Sequence, residues 1–286
     1  MRSRRIAPIA ILGLALAACS SVATPAPTAA PSVGQAATPT SSAAPPASVA
    51  GGSLTIYAAA SLKAALGKAK AAYEASYPGT TLTISTDSSS ALETKIEQGA
   101  PADVFLSADT TTPQKLIDKG LAGGELTKFA GNLLTVIVPT ANPAHVRTPA
   151  DLAEPGVKII AAGDAVPITR YATQLVTNLV GQAGYPDQFA SRYAINIVSK
   201  EDNVAGVVSK IELGEGDAGI VYVTDAKASS KVTTIEVPLT ANVPATYGGV
   251  TLKASKNAAA ASAFLGWLAG RDGQAILATF GFLAPS

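Results

Sequence analysis

The chain holds one cysteine, one histidine, one tryptophan and one methionine in 286 residues. One cysteine excludes a disulfide framework, and with a single histidine beside it a zinc site built from His and Cys is excluded too. A Ser-His-Asp hydrolase would have to use His145. Neither a G-x-S-x-G elbow nor a G-x-x-x-x-G-K-[ST] phosphate loop occurs. Charge is scarce: 21 Lys and Arg face 20 Asp and Glu, 14% of the chain. A net charge near +1 gives no basic field for nucleic acid. Aromatics are 5%, and alanine swells the apolar fraction of 48%, so Leu, Ile and Val must carry the core.

What is present begins with an export signal. Three arginines fall within residues 1–5, followed by the apolar run IAPIAILGLALAA over 6–18. Such a run is too short for a permanent bilayer span and suits a signal-peptide core. It ends in Leu16-Ala17-Ala18-Cys19, which resembles a bacterial lipobox. In that motif the cysteine is lipidated and becomes the mature N-terminus. Residues 1–18 are therefore expected to be a lipoprotein signal, with Cys19 anchoring the protein to the outer face of the cell membrane. Loss of their three arginines turns the formal charge from +1 to −2. Residues 20–52 have no charged residue, Leu, Ile or aromatic, and six prolines among Ala, Ser and Thr. Such a stretch cannot bury enough apolar surface to offset its ordering entropy, so 19–52 is expected to be a disordered tether.

From Ser53 onward, apolar runs alternate with segments of helical period. Leu54–Tyr57 predicts a strand; Leu62, Ala65, Leu66, Ala69, Ala72 and Tyr73 predict a helix, stopped at Pro78-Gly79. Further strands are expected at 81–85, 102–108, 133–139, 157–163, 194–199, 218–223 and 250–252. Further helices are expected at 92–98, from Thr112-Pro113, from Pro167, at 204–213, 258–269 and 274–280. Ser90 and Glu93 fit a capping box, and Gly248-Gly249 reads as a flexible crossover. Repeated strand–helix units argue for an α/β fold with parallel-rich sheets, whose ligands gather at the carboxyl ends of strands.

Four strand-to-helix turns share one chemistry. Tyr57-Ala58-Ala59-Ala60-Ser61 and Asp87-Ser88-Ser89-Ser90 bring hydroxyls to helix starts. Ala165-Val166-Pro167-Ile168 and Asp202-Asn203-Val204 bring free backbone N–H groups. A helix N-terminus carries unpaired donors and the positive end of the dipole. Together these turns suit a small anion held without a full positive charge. Each serine alone reads more readily as an ordinary N-cap. Only convergence of the turns in the fold decides between the two.

The strings YAAASL (57–62), SSSALETKIEQGAPADVFLSAD (88–109), VPITRYA (166–172), EDNVAGVV (201–208), GIVYVTDA (219–226) and GQAILATFGF (273–282) resemble the molybdate-binding proteins of ABC importers. The resemblance spans 53–286. It implies a two-lobed type II periplasmic-binding-protein fold with the oxyanion in the interlobe cleft. It further implies a first lobe of 53–132 plus 247–286 and a second of 133–246. It implies that Ser61 and Ser89 donate hydroxyl and N–H, that Ile168 and Val204 donate backbone N–H, and that Tyr222 donates its phenol, all to the molybdate oxyanion. VPITRY departs from the family's V-P-A-G-x-Y, placing Ile168 and Thr169 where small residues are usual. The implied ligand is molybdate or tungstate, with no cofactor and no metal other than that oxyanion. The implied partners are a permease with its cytoplasmic ATPase, and the membrane through Cys19; the protein is expected to be a monomer.

Three rival readings follow from the same residues: a receptor of the same fold for sulfate or another tetrahedral oxyanion, an extracytoplasmic hydrolase using Ser61 or Ser89, and an adhesion module. The hydrolase lacks a base other than His145, which reads as a loop residue. Trp267 reads as core, and Lys63, Lys68 and Lys70 as a solvated face. Asp109 and Arg170 are expected at opposite rims of the cleft, as a candidate closure latch.

Overall fold

The computed structural model describes residues 52–285. The expected signal segment, Cys19 and nearly all of the tether lie outside the described residues. The first stretch runs β1 (Ser53–Ala59), a 3-10 turn (Ala60–Leu62), α1 (Lys63–Ser76), β2 (Thr81–Asp87), α2 (Ser89–Glu97), β3 (Val104–Ser107), α3 (Thr111–Asp118) and β4 (Thr127–Asn132). The second runs β5 (Leu134–Pro139), a 3-10 turn (Pro149–Ala153), β6 (Ile159–Ala162), α4 (Pro167–Leu179), α5 (Phe189–Ile195), β7 (Ile197–Glu201), α6 (Val204–Glu212), β8 (Gly219–Tyr222), α7 (Val223–Lys227) and β9 (Val232–Ile235). The chain then returns as β10 (Ala245–Thr251), α8 (Ala258–Ala269) and α9 (Arg271–Thr279).

The first lobe's sheet has the order β2-β1-β3-β10-β4. Strands β1, β2 and β3 are parallel, and β10 runs antiparallel between β3 and β4. The second lobe pairs β8-β5-β9 and β6-β7. A parallel bridge Ile159–Ala218 joins them, with the Ile160 N–H donating to the Ala218 carbonyl at 2.9 Å. The order is then β7-β6-β8-β5-β9, with antiparallel β5 in the place that β10 holds in the first lobe. The chain crosses between the lobes at Leu133 and again between β9 and β10. Asn242 of the return crossover ties the two crossovers together. Its Oδ1 accepts from Leu134 N–H at 3.0 Å and its Nδ2 donates to the Leu134 carbonyl at 2.8 Å.

Burial follows the sequence periods. On α1, Ala65, Leu66, Ala69 and Tyr73 are buried while Lys63 and Lys68 point outward. Tyr73 packs edge-on against Phe264 and Trp267, each at 5.1 Å between centroids. Lys70 departs from the expected solvated face: it is half-buried, holding Glu74 and the Leu82 carbonyl.

Several expectations are corrected. Ala194 and Ile195 end helix α5 instead of opening a strand, because Phe189 and Tyr193, four apart, are both buried on one helical face. Helix α2 starts earlier than expected and its cap is Ser88, whose Oγ accepts from Ala91 N–H at 3.2 Å. Ser90 lies inside the helix, and Glu93 is buried against Lys115, so the Ser90–Glu93 capping box does not form. Strands β4 and β9 were not expected: β4 reads TKFAGN, with no clean alternation, and β9 is four residues long. Gly248 and Gly249 are strand residues of β10 at close-packing positions. A Cβ there would come within 2.7 Å of Leu126 and 2.9 Å of Leu106. Outside those expectations, Gly214-Glu215-Gly216-Asp217-Ala218-Gly219 has dinucleotide-type glycine spacing but leads from α6 into β8. A dinucleotide turn runs from strand to helix, so this spacing carries no phosphate function here.

Candidate functional site

The carboxyl ends of β1, β2 and β3 face those of β6, β7 and β8, and the turns that follow them enclose one small pocket. Twelve residues line it, six from each lobe, and none is charged. The first lobe brings Ser61, Ser88 and Ser89; the second brings Ile168, Asn203, Val204 and Tyr222. The cavity volume is about 10 Å³, room for about one water-sized group. Thus all four hydroxyl- and N–H-bearing turns converge, and Ser61, Ser89, Ile168, Val204 and Tyr222 share one lining.

The groups at this pocket are left with donors to spare. Ser89 is 1% exposed, and its Oγ accepts from Ala108 N–H at 3.1 Å, so its own hydrogen is uncommitted. Ile168 and Val204 stand in the first turns of α4 and α6, where a backbone N–H has no intrahelical acceptor. Pro167 at the first helical position of α4 sets the chain for that turn. Asn203 caps α6 by accepting from Gly206 N–H at 3.1 Å. Tyr222 is 1% exposed, and its hydroxyl is the buried side-chain polar atom left without a partner among the described residues. Burial pushes its pKa well above 10, so the hydroxyl keeps its proton. A buried unpaired hydroxyl costs about 1–3 kcal/mol and calls for an explanation; a bound acceptor supplies one.

Of the two residues that depart from the family pattern, Ile168 lines the pocket and Thr169 does not. Thr169 Oγ1 donates back to the Ala162 and Gly163 carbonyls, at 3.1 and 2.8 Å. Ile168 also lines a neighbouring, mostly apolar cavity of about 220 Å³ between α4, α5 and the sheet. Its branched side chain has space there.

A bacterial extracellular solute-binding protein family model matches residues 54–283. The chain belongs to that family. Its members are binding proteins rather than enzymes, which removes the hydrolase reading. His145 is exposed in a loop and does not line the pocket. The molybdate-binding protein ModA of Mycobacterium tuberculosis H37Rv is 34% identical over 82% of this chain and 85% of its own. A putative ABC transporter substrate-binding lipoprotein of Bacillus subtilis, YvgL, is 32% identical over 81% of this chain and 86% of its own. Among solved structures, the periplasmic molybdate-binding protein of Azotobacter vinelandii matches with a TM-score of 0.69 at 26% identity, over 82% of this chain and all of its own. The family resemblance read from the sequence strings is therefore correct, and the architecture is that of periplasmic binding proteins.

At the rim of this solute-binding protein the lobes touch through side chains. Arg170, on the first turn of α4, reaches Asp109 Oδ2 at 3.2 Å and donates to Thr111 Oγ1 at 2.8 Å. Its guanidinium also lies 5.0 Å from the centre of the Tyr171 ring. Asp109 is buried and serves a second purpose: its Oδ1 accepts from Thr112 N–H at 2.9 Å, capping α3. Asp109 thus makes the ion pair and the helix contact together, through different oxygens. Elsewhere on the rim, Asn203 Nδ2 donates to Asp87 Oδ1 at 3.2 Å, and Lys95 holds the other Asp87 oxygen at 3.0 Å.

Three residues around the pocket were not found by sequence reasoning. Tyr247 and Asn132 form a buried network behind Ser61. Asp225 is buried beneath Tyr222, accepts its backbone N–H at 3.2 Å, and burial raises its pKa to about 7. Asp225 sits in GIVYVTDA and could have been flagged as an acid beside the tyrosine. Tyr247 lies 186 residues from Ser61, and nothing local marks it.

Proposed function

We propose that this chain captures molybdate, and its analogue tungstate, outside the cytoplasm and delivers it to the permease of an ABC importer powered by a cytoplasmic ATPase. The observation that carries the reading is the convergence of four helix-start turns on an uncharged pocket that also holds a partnerless tyrosine hydroxyl. The names of the M. tuberculosis and A. vinelandii relatives support molybdate as the ligand. Ser61 and Ser89 act as hydroxyl and N–H donors, Ile168 and Val204 as N–H donors, and Tyr222 as a phenol donor. The donors belong to both lobes, which close on the ion as two bodies, 53–132 plus 247–286 against 133–246.

The chemistry favours a fully deprotonated tetrahedral dianion. Molybdate and tungstate carry no proton near neutral pH, so a lining of donors matches all their oxygens. Hydrogen phosphate brings a proton that needs an acceptor. Sulfate matches in charge and differs in size; a smaller ion leaves buried donors unfilled, at about 1–3 kcal/mol each. Helix dipoles and N–H groups replace a countercharge.

A thermal-shift panel of molybdate, tungstate, sulfate and phosphate tests this. At about 1,000 times its Kd a ligand adds roughly 4 kcal/mol of apparent stability. Molybdate and tungstate should produce that shift. A panel in which no oxyanion moves the transition defeats the reading, and a shift with sulfate alone reassigns the receptor to sulfate.

The protein is further proposed to be a monomeric lipoprotein held by diacylated Cys19. The lipobox-like Leu16-Ala17-Ala18-Cys19 and the B. subtilis lipoprotein relative support this. Arg170 and Asp109 are proposed as the latch that holds the closed cleft.

A further inference from the structure

The hydroxyl of Ser61 does not stand alone at the pocket. Its Oγ is 2.9 Å from the Tyr247 hydroxyl. Tyr247 is fully buried and its ring is clamped at centroid distances of 5.4 Å by Phe282, 5.6 Å by Tyr222 and 6.2 Å by Phe129. A register shift in the β10–β4 pairing falls at Tyr247/Gly248. Such irregularities re-aim side chains out of the regular pleat. Behind Tyr247 stands Asn132, the last residue of β4. Its Nδ2 donates to Thr224 Oγ1 at 2.8 Å and to the Tyr247 hydroxyl at 3.3 Å, while its Oδ1 accepts from Leu133 N–H at 3.0 Å.

These bonds fix the direction at the Asn132 end of the chain, while either hydroxyl can donate across the Ser61–Tyr247 contact. The Leu133 N–H identifies the Asn132 oxygen, so the Asn132 amide group facing Tyr247 is the donor. Tyr247 therefore accepts from Asn132. Burial holds its pKa well above 10, so it keeps its own proton. Ser61 Oγ, 2.9 Å away, is the acceptor within reach of that proton. Ser61 Oγ, once an acceptor from Tyr247, has its hydrogen left for the pocket it lines. We propose that Tyr247 is a positioning residue: with Asn132 it forms a one-way relay, Asn132 to Tyr247 to Ser61, that points the Ser61 hydroxyl proton at the bound oxyanion. Bonds in such chains polarise one another, so the terminal donor gains strength as well as direction.

The inference rests on the oxyanion reading of the pocket, and the test separates the two. Molybdate titration of the wild type, Ser61→Ala, Tyr247→Phe and the double mutant is the measurement. Tyr247→Phe keeps the clamped ring and removes the relay oxygen. It should weaken molybdate binding about 3- to 10-fold, the range of a net hydrogen bond. In the Ser61→Ala background the same substitution should change Kd by less than about twofold, because no hydroxyl remains to be aimed. A general structural defect would instead carry through unchanged into that background. Asn132→Ala supplies a second variant, expected to show a smaller loss that also vanishes without Ser61. If the wild type binds molybdate and Tyr247→Phe binds it equally, or loses the same factor with and without Ser61, the relay is wrong. If the wild type binds no oxyanion, the functional reading itself fails.

Discussion

Replacing Tyr222 by Phe should move two quantities in opposite directions. The substitution deletes one oxygen from a fully buried ring that packs against Tyr247 at 5.6 Å and Tyr171 at 6.3 Å. No protein group loses a partner, because the Tyr222 hydroxyl has none among the described residues. In the ligand-free protein the deletion removes an unsatisfied polar group, which costs about 1–3 kcal/mol where water is excluded. Opening of the cleft hydrates the hydroxyl, so the gain should lie near the low end, about 1 kcal/mol. For a body of this size that is roughly a 2–4 °C rise in Tm. With molybdate bound, the same oxygen is a donor to a dianion, worth about 1.5–3 kcal/mol, or roughly a 10- to 150-fold loss in affinity. Paired thermal unfolding scans with and without saturating molybdate, together with calorimetric titration, read both numbers. The variant should melt above wild type when empty and gain less from the ligand. An empty variant that melts several degrees lower, or one that binds with wild-type affinity, refutes the assignment of this hydroxyl to the ligand.

Four further outcomes are expected. Ser61→Ala and Ser89→Ala should each weaken molybdate binding by about 1.5–3 kcal/mol in calorimetry; both should also lower stability without ligand, since the first takes the partner of the Tyr247 hydroxyl and the second that of Ala108 N–H. Stability should fall as pH rises from about 4 towards 7 and level off above it: Asp225 has its pKa raised to about 7 in the folded state, so the folded protein holds a proton that the unfolded chain releases near pH 4. Denaturation at pH 5 and pH 8 should show this slope in wild type and a flatter one in Asp225→Asn, and an unchanged slope would discard the group. Arg170→Ala should speed molybdate release several-fold at most in stopped flow, the yield of a pair whose Arg170 side is half-exposed, worth about 0.2–1 kcal/mol. Asp109→Asn, which retains an oxygen to cap α3, should match it with no further loss in the double mutant; additive effects would mean that the pair is no latch. Cys19→Ser should leave binding intact and release the protein from the membrane or leave its signal uncleaved, and a correctly cleaved variant retained in the membrane fraction would reveal another anchor.

Much of the fold was legible because burial in α/β sheets leaves a strong local imprint. The runs TLTIS and LLTVIVP, and the period of Leu62 to Tyr73, each report one element's own face. The errors occur where an element is too short or too mixed to carry a period. α5 ends inside an apolar string that continues into β7, so AINIVS reads as one strand when it holds the end of one element and the start of the next. TKFAGN pairs with β10 through backbone bonds that its side chains do not advertise. The pocket was legible one turn at a time, as donors at helix starts, and their convergence was not. Four sequence-distant turns meet because both sheets place the carboxyl ends of parallel strands towards the same cleft. Tyr247 and Asn132 were invisible for a related reason. Their meaning lies in a contact across 186 and 115 residues of chain, at the point where both crossovers pass.

The division of donors between lobes bears on how such a receptor lets go of its cargo. On the reading proposed, the first lobe supplies Ser61 and Ser89, and the second supplies Ile168, Val204 and Tyr222. None of these groups is charged, so no single contact outlasts the others when the lobes part. A site built on an arginine or lysine would retain an ion pair with the dianion in the open state and slow its release. Here affinity depends on the two half-sets acting together at one small pocket, with dipoles that act within the first turn of each helix. The side-chain contacts that do cross the cleft, Arg170 to Asp109 and Asn203 to Asp87, bind lobe to lobe; of these four residues only Asn203 also lines the pocket. A partner that pries those rim contacts apart would collapse the affinity without touching the ion. On that reading, tight capture and rapid release become properties of lobe closure and not of the pocket chemistry alone.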